Sequence, residues 1–136
     1  MEVLHTAINV SDLDEAKEFY LDVLGLEYDW EFTASDETNV YISGESQAGI
    51  QLSHDPDLTL PEVDPDTLDI DSEHLALLVD DIDEVLERVE ETSDRPVVVE
   101  PQVVEFEWGR SKVAFVADSD GHAIELIDRL EGSPTA

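Results

Sequence analysis

Two histidines and two side-chain oxygens carry the chemistry that this sequence could perform. His5 and His74 each stand at the start of a strand-like segment, and Gln51 and Glu125 each stand between an isoleucine and a leucine in a later segment. Two imidazoles, one amide oxygen and one carboxylate suit a divalent first-row metal such as Zn, Ni, Co, Mn or Fe(II). Such a set also leaves coordination positions open for water or substrate. The sequence therefore predicts one divalent metal ion per site.

An internal repeat gives the reason to expect these four residues to converge. Segments 5–15 and 74–84 match at their histidine, alanine, valine and acidic positions. Two equivalent units related by a pseudo-twofold axis would place equivalent residues opposite each other. A lone strand histidine is usually an ordinary half-buried residue, but the matched pairs favour a metal site. His54 and His122 have no such match and are predicted to be loop or surface residues.

Both halves of the chain predict the same order of elements, βαβββ. Apolar residues alternate or form short runs in the strand segments and recur at three- and four-residue steps in the helical ones. The predicted organisation is a first module at 1–54, an acidic linker with three prolines at 55–72, a second module at 73–130 and a tail at 131–136. At 136 residues with 41% hydrophobic side chains, the chain can bury a core.

Each predicted helix follows the opening strand of its half. Ser11 is the predicted N-cap of the first helix, with Asp14 as its capping-box partner and Gly25 as the C-terminal stop. The second helix is predicted to begin at Asp81, with Glu84 as the partner. The first helix is expected to bury one apolar face made of Leu13, Ala16, Phe19, Tyr20, Val23 and Leu24.

The charge of the chain points to its surroundings rather than to its reaction. Thirty-six acidic and six basic residues give a formal net charge of −30. No cluster of basic residues could neutralise phosphates, so nucleic acid and anionic membranes are excluded as partners. No cysteine is present, which excludes disulfides and thiolate metal sites. The start of the sequence shows no signal-peptide pattern. We therefore expect a soluble, cytoplasmic protein of a high-salt, halophilic organism.

Short motifs along nearly the whole chain resemble the vicinal oxygen chelate superfamily of glyoxalases, bleomycin-resistance proteins and dioxygenases, and most of all its glyoxalase I branch. The motifs are Leu4-His5-Thr6, Asp12-Leu13-Asp14, Phe19-Tyr20, Val23-Leu24-Gly25, His74-X-Ala76-Leu77 and the segment Ala114 to Leu126. The resemblance implies an α+β fold of paired βαβββ modules that form a cup-shaped, mostly antiparallel, eight-stranded sheet. It also implies a homodimer in which modules of two subunits pair around the metal.

The same resemblance implies a reaction and assigns the residues to it. His5, Gln51, His74 and Glu125 would be the metal ligands, and Glu125 would also be the catalytic base. The implied enzyme is a metal-dependent lyase or isomerase that acts on the hemithioacetal of a thiol and an oxoaldehyde, as in methylglyoxal detoxification. Proton transfer would proceed through a metal-bound enediolate.

The residues expected to bind the substrate depart from the bacterial glyoxalase I pattern. Asn9 and Asp55 stand where that pattern has the arginine and asparagine that hold glutathione carboxylates. An acidic residue would repel a carboxylate, which argues against glutathione as the thiol carrier. Trp108, Arg110 and Lys112 are the other candidates for contacts with a small anionic substrate, and the alternative for the two basic residues is a role as surface charges at a strand end.

Three other functions remain open from the sequence. The ligand set also resembles that of methylmalonyl-CoA epimerase, although few basic residues are available for a CoA phosphate. Two histidines and one carboxylate would also serve an extradiol dioxygenase that uses Fe(II). A bleomycin-resistance-type protein that only sequesters its ligand is the third alternative, and such proteins usually lack the ligand set.

The charge predicts that stability depends on salt. Carboxylates repel one another over about 30 Å at 0.01 M salt but only about 3 Å at 1 M. Dialysis from molar KCl into dilute buffer is therefore expected to lower the midpoint of thermal unfolding, which circular dichroism would measure. An unchanged or higher midpoint in dilute buffer would contradict this prediction.

Overall fold

The chain forms two compact units, Met1–Pro61 and Glu62–Ala136, in the computed structural model, which describes residues 1–46, 48–64, 67–70, 73–92 and 97–134. The boundary between the units lies within the segment predicted as the linker. Residues 65, 66, 71 and 72 of that segment lie outside the described residues, and the limits of the modules stay a prediction.

The first unit contains one short helical segment and a four-stranded mixed sheet. The strands are ordered β1-β4-β3-β2, with β1 parallel to β4 and the other neighbours antiparallel. The elements are β1 (His5–Asn9), α1 (Leu13–Lys17), a π-helical continuation of α1 (Glu18–Val23), β2 (Glu27–Ala34), β3 (Glu37–Ser43) and β4 (Gly49–His54).

The second unit repeats this arrangement with the strand order β5-β8-β7-β6, in which β5 is parallel to β8. Its elements are β5 (Leu75–Leu78), α2 (Ile82–Glu91), β6 (Val97–Phe106), β7 (Gly109–Ala117) and β8 (Ala123–Gly132). The last strand extends to Gly132, two residues into the predicted tail, and residues 135 and 136 lie outside the described part. The α+β class and the repeated βαβββ order are confirmed, and the eight described strands form two four-stranded sheets.

In each unit the helix covers one face of the sheet. Lys17 of α1 forms an ion pair with Glu31 of β2 at 3.1 Å, and in the second unit Lys112 of β7 pairs with Asp83 of α2 at 2.8 Å. Neighbouring residues of a strand point to opposite faces, so these pairs identify the helix-covered face. The buried core lies there, with Phe19, Tyr20, Val40, Ile42 and Leu52 in the first unit and Ile82, Val89, Ala114, Val116, Ile124 and Leu126 in the second.

The helix caps follow the repeat more closely than predicted. Asp81 caps α2 by accepting bonds from the backbone N–H groups of Asp83 and Glu84 at 3.1 and 3.2 Å, as expected. The N-cap of α1 is Asp12, which accepts from the N–H of Glu15 at 3.0 Å, so the prediction of Ser11 was wrong. Asp12 is the repeat equivalent of Asp81, and a carboxylate at this position also interacts favourably with the helix dipole.

The helices of the described residues are short. Neither of them, nor the π-helical continuation of α1, is long and apolar enough to span a membrane.

A buried carboxylate organises the turn between β7 and β8. Asp118 is 5% exposed, and its side chain accepts bonds from the backbone N–H groups of Asp120 and His122 at 3.0 and 2.8 Å. The imidazole Nδ1 of His122 also lies 2.8 Å from this carboxylate. That hydrogen bond raises the pKa of His122, against an opposing effect of burial.

This pair predicts a pH-dependent contribution to stability. Because the pKa of His122 is raised by folding, the stabilisation is complete below the ordinary histidine pKa of about 6.5 and is lost as the pH rises through the folded value. We expect His122→Gln to remove about 1 kcal/mol from the free energy of unfolding at pH ~5.5. The loss should be smaller at pH ~9, as measured by urea titration of both proteins in molar KCl. An equal loss at both pH values would contradict the assignment.

Candidate active site

The first unit presents His5 and Gln51 on the face of the sheet opposite its helix. The parallel register pairs Ala7 with Gln51, and His5 lies two residues before Ala7, so all three side chains point the same way. The ring of His5 packs edge-on against Tyr41, at 5.3 Å between centroids and an interplanar angle of 78°. Tyr41 is in turn the cross-strand neighbour of Gln51.

The second unit repeats this geometry with His74 and Glu125. Ala76 pairs with Glu125 in the parallel register, and Phe115 is the cross-strand neighbour of Glu125. His74 packs edge-on against Phe115 at 5.6 Å and 75°. The Nε2 atom of His74 lies 3.0 Å from the Oε2 atom of Glu125, and both side chains remain partly exposed.

Sequence reasoning missed the aromatic partner of each histidine. Tyr41 and Phe115 each stand ten residues before the oxygen-bearing side chain of their unit. That equal spacing within the repeat is the sequence pattern that could have predicted the two aromatic partners. An aromatic ring edge against imidazole limits the orientations of the ring, so each histidine is held in a similar way in the two units.

His74 Nε2 and Glu125 Oε2 lie at hydrogen-bond distance, 3.0 Å apart. Two ligands of one ion at about 2.1 Å also lie about 3 Å apart, so this spacing is compatible with a shared metal ion. Within the described residues, no group of three or more histidine, cysteine or acidic side chains could hold a metal on its own. In the second unit His74 and Glu125 lie 3.0 Å apart, and in the first unit His5 and Gln51 share one face of the sheet.

A stacked aromatic cluster lies on the same face as Gln51 in the first unit. The rings of Trp30 and Tyr41 are 4.6 Å apart and nearly parallel, at 4°, and Phe32 stacks on Trp30 at 5.5 Å. Trp30 is 53% exposed and Phe32 40% exposed. These rings offer a flat apolar surface beside the candidate ligands, and the sequence analysis did not single them out.

Two of the candidate substrate contacts belong to the first unit. Asn9 is exposed at the end of β1, on the face of His5 by strand alternation. Asp55 follows β4 and closes a turn, with its carboxylate accepting from the N–H of Asp57 at 2.9 Å. Contact of either residue with a substrate stays a prediction. His54 lies in β4 rather than in a loop, and its Nδ1 is 3.1 Å from the carbonyl oxygen of Val10.

The three candidates of the second unit are not brought to Glu125. Lys112 points to the helix-covered face, where the carboxylate of Asp83 raises its pKa. Arg110 pairs with Glu131 at 3.5 Å near the far end of β7. Trp108 lies in the turn between β6 and β7 and stacks on Phe106 at 4.8 Å.

Known proteins share both the sequence pattern and the fold. A probable lactoylglutathione lyase from Synechocystis is 33% identical over 134 residues, which cover 93% of this chain and 95% of that protein. The lactoylglutathione lyase from Haemophilus influenzae is 32% identical over 135 residues, which cover 94% of this chain and 93% of that protein.

A solved structure of similar fold is glyoxalase I from Zea mays, with a TM-score of 0.75 and 24% identity over 93% of this chain. The chain spans 44% of the length of the maize protein. Residues 2–126 match the family described as the Glyoxalase/Bleomycin resistance protein/Dioxygenase superfamily. The resemblance seen in the sequence is therefore confirmed, and the chain belongs to this superfamily.

Proposed function

We propose that the protein is a metal-dependent lyase or isomerase of the glyoxalase I type. The observation that carries the proposal is the 3.0 Å pair of His74 Nε2 and Glu125 Oε2 on an exposed sheet face. The repeat-equivalent pair in the first unit, His5 and Gln51, supports it. The relatives named lactoylglutathione lyase support the reaction class.

In this proposal His5, Gln51, His74 and Glu125 hold one divalent ion. Each unit contributes two of the four donors, so one unit alone cannot complete the site. We propose that the first unit of one subunit meets the second unit of another in a homodimer. A bound divalent ion would polarise two adjacent oxygens of the substrate and acidify the neighbouring C–H group. Gln51 contributes a neutral oxygen, so the ligand set carries only one negative charge.

Glu125 is the proposed proton carrier. Its carboxylate is the only ionisable oxygen donor in the ligand set, because an amide such as Gln51 cannot accept and return a proton. Glu125 would remove the proton from one carbon of the hemithioacetal and return it to the neighbouring carbon. Its cross-strand neighbour Phe115 and its parallel partner Ala76 are both apolar.

The proposed substrate is the hemithioacetal of an oxoaldehyde with a thiol that lacks clustered carboxylates. Asp55 lies near the end of the strand that carries Gln51, and the chain has a net charge of −30. Asp55 would repel a carboxylate of a carrier such as glutathione at contact distance, where salt screens least. We further propose that the protein works in the cytoplasm of a halophilic cell, where molar salt screens this charge.

The aromatic cluster of Trp30, Phe32 and Tyr41 favours a second candidate function, the sequestration of a planar ligand without turnover. Exposed stacked rings bind flat aromatic molecules well. Such a protein needs no metal, so the metal content separates the two functions. Oxygen uptake with a catechol would instead indicate a dioxygenase, and exchange of the acidic proton of an acyl-CoA would indicate an epimerase.

The metal site predicts a clear difference between two histidine variants. The wild-type protein, purified in molar KCl without chelator, is expected to contain about one divalent ion per site. His74→Ala should lose this ion because one of four ligands is removed. His54→Asn is the matched control and should keep it, since the ring of His54 bonds to the Val10 carbonyl. Elemental analysis by inductively coupled plasma mass spectrometry measures the metal content of all three proteins. A wild type that holds no metal after reconstitution would refute the site.

The role of Glu125 predicts a loss of turnover that exceeds the loss of metal. Glu125→Gln keeps an oxygen ligand but cannot carry a proton, so turnover of a hemithioacetal should fall by about 10²- to 10⁴-fold. NMR of the product measures turnover, in parallel with the metal content of each protein. The exposed Glu100→Gln on β6 serves as the control. A Glu125→Gln with wild-type turnover would show that another group moves the proton.

A further inference from the structure

Three polar side chains of β3 and β4 form a closed set of hydrogen bonds around Gln51. The amide nitrogen Nε2 of Gln51 donates to Asn39 Oδ1 at 2.7 Å and to Ser53 Oγ at 3.1 Å. The hydroxyl of Ser53 donates its own proton to Asn39 Oδ1 at 2.8 Å. Asn39 and Ser53 are cross-strand neighbours, and Gln51 lies two residues before Ser53 on the same face.

With Asn39 Oδ1 turned towards Gln51, these bonds hold one orientation of the Gln51 amide. The nitrogen and oxygen ends of an amide have nearly the same shape, and only the oxygen binds a metal ion. The hydroxyl proton of Ser53 is used on Asn39, so Ser53 presents only an acceptor to Gln51. Both contacts of the amide are thus acceptors, which hold its nitrogen. The oxygen Oε1 takes part in neither bond.

The network is buried enough to hold this orientation firmly. Asn39 is 5% exposed and Ser53 7% exposed. Phe32, an exposed ring of the neighbouring strand, is the register partner of Asn39. Hydrogen bonds that are shielded from water are electrostatically stronger, and breaking one leaves a buried polar group without its partner.

The fold itself does not require these polar residues. In the second unit the equivalent register pair is Val113 and Ile127, beside the Phe115–Glu125 pair. The same sheet geometry is therefore built there from apolar side chains. Burying polar side chains in a sheet costs free energy unless they are hydrogen-bonded. Asn39 and Ser53 occur only in the first unit, where their partner is Gln51. We therefore infer that they serve Gln51 and that Glu125 needs no such partners.

We propose that Asn39 and Ser53 are positioning residues that hold the Gln51 amide with Oε1 available as the metal ligand. The inference rests on the proposed function, in which Gln51 is one of four ligands. In this arrangement residue 51 is a neutral oxygen donor, because its amide nitrogen is bonded to the two acceptors.

The first experiment measures the Gln51 side chain in metal-free protein. In ¹⁵N-labelled wild type, the side-chain NH₂ protons of Gln51 should exchange slowly with solvent because both acceptors hold them. Asn39→Val copies the second unit, and Ser53→Ala removes the other acceptor without adding bulk. Each should raise this exchange rate about tenfold or more. Thr38→Val is the control, since it removes only a bond to Thr33 at 2.9 Å.

The second experiment measures metal affinity by competition with a chelator, using Zn²⁺ as the probe. Asn39→Val and Ser53→Ala should weaken binding by about 10- to 100-fold, the range typical of groups that orient a ligand. Asn39→Asp keeps an acceptor for the Gln51 nitrogen and should restore affinity to within a few-fold of wild type. Thr38→Val should bind normally.

The outcomes separate this inference from the proposed function. A folded Asn39→Val and Ser53→Ala with unchanged exchange and unchanged Zn²⁺ affinity would overturn the positioning role. A wild type that binds no Zn²⁺ would overturn the proposed function and the ligand role of Gln51. The exchange rates of the Gln51 NH₂ protons would still decide whether Asn39 and Ser53 fix its amide. If Asn39→Val does not fold, Ser53→Ala and Asn39→Asp decide the question.

Discussion

The parallel pairing of the first and last strands of each unit is the constraint on which the candidate site depends. β1 lies beside β4 and β5 beside β8, so segments far apart in sequence become neighbours. The register places Ala7 opposite Gln51 and Ala76 opposite Glu125. A shift by one residue would turn each donor to the helix-covered face.

The two units use one framework for two different chemical environments. Gln51 is held by neutral hydrogen bonds from its amide nitrogen, while Glu125 faces His74 at 3.0 Å between apolar neighbours. The first arrangement holds the nitrogen end of the Gln51 amide. The second places a carboxylate beside an imidazole. The same fold thus carries one oxygen-bearing side chain in a polar network and the other among apolar neighbours.

The scarce basic residues serve the framework rather than the candidate site. Lys17, Arg88, Arg110 and Lys112 each pair with an acidic side chain of their own unit. The pairs of Lys17 and Lys112 tie a helix to its sheet. Arg129 of β8, another described basic residue, donates to the hydroxyl of Ser133 at 3.2 Å.

Periodicity and the internal repeat were enough to predict the α+β class and the βαβββ order, because these depend on local patterns and on symmetry. Tertiary structure alone decided which face each side chain occupies and which partners it meets. Side chains of β7 alternate between the two faces of the sheet, and the sequence alone does not say which set faces the helix. Lys112 belongs to the set that faces α2. Asn39 lies fourteen residues before Ser53, and only the pairing of β3 with β4 brings it to Ser53 and Gln51.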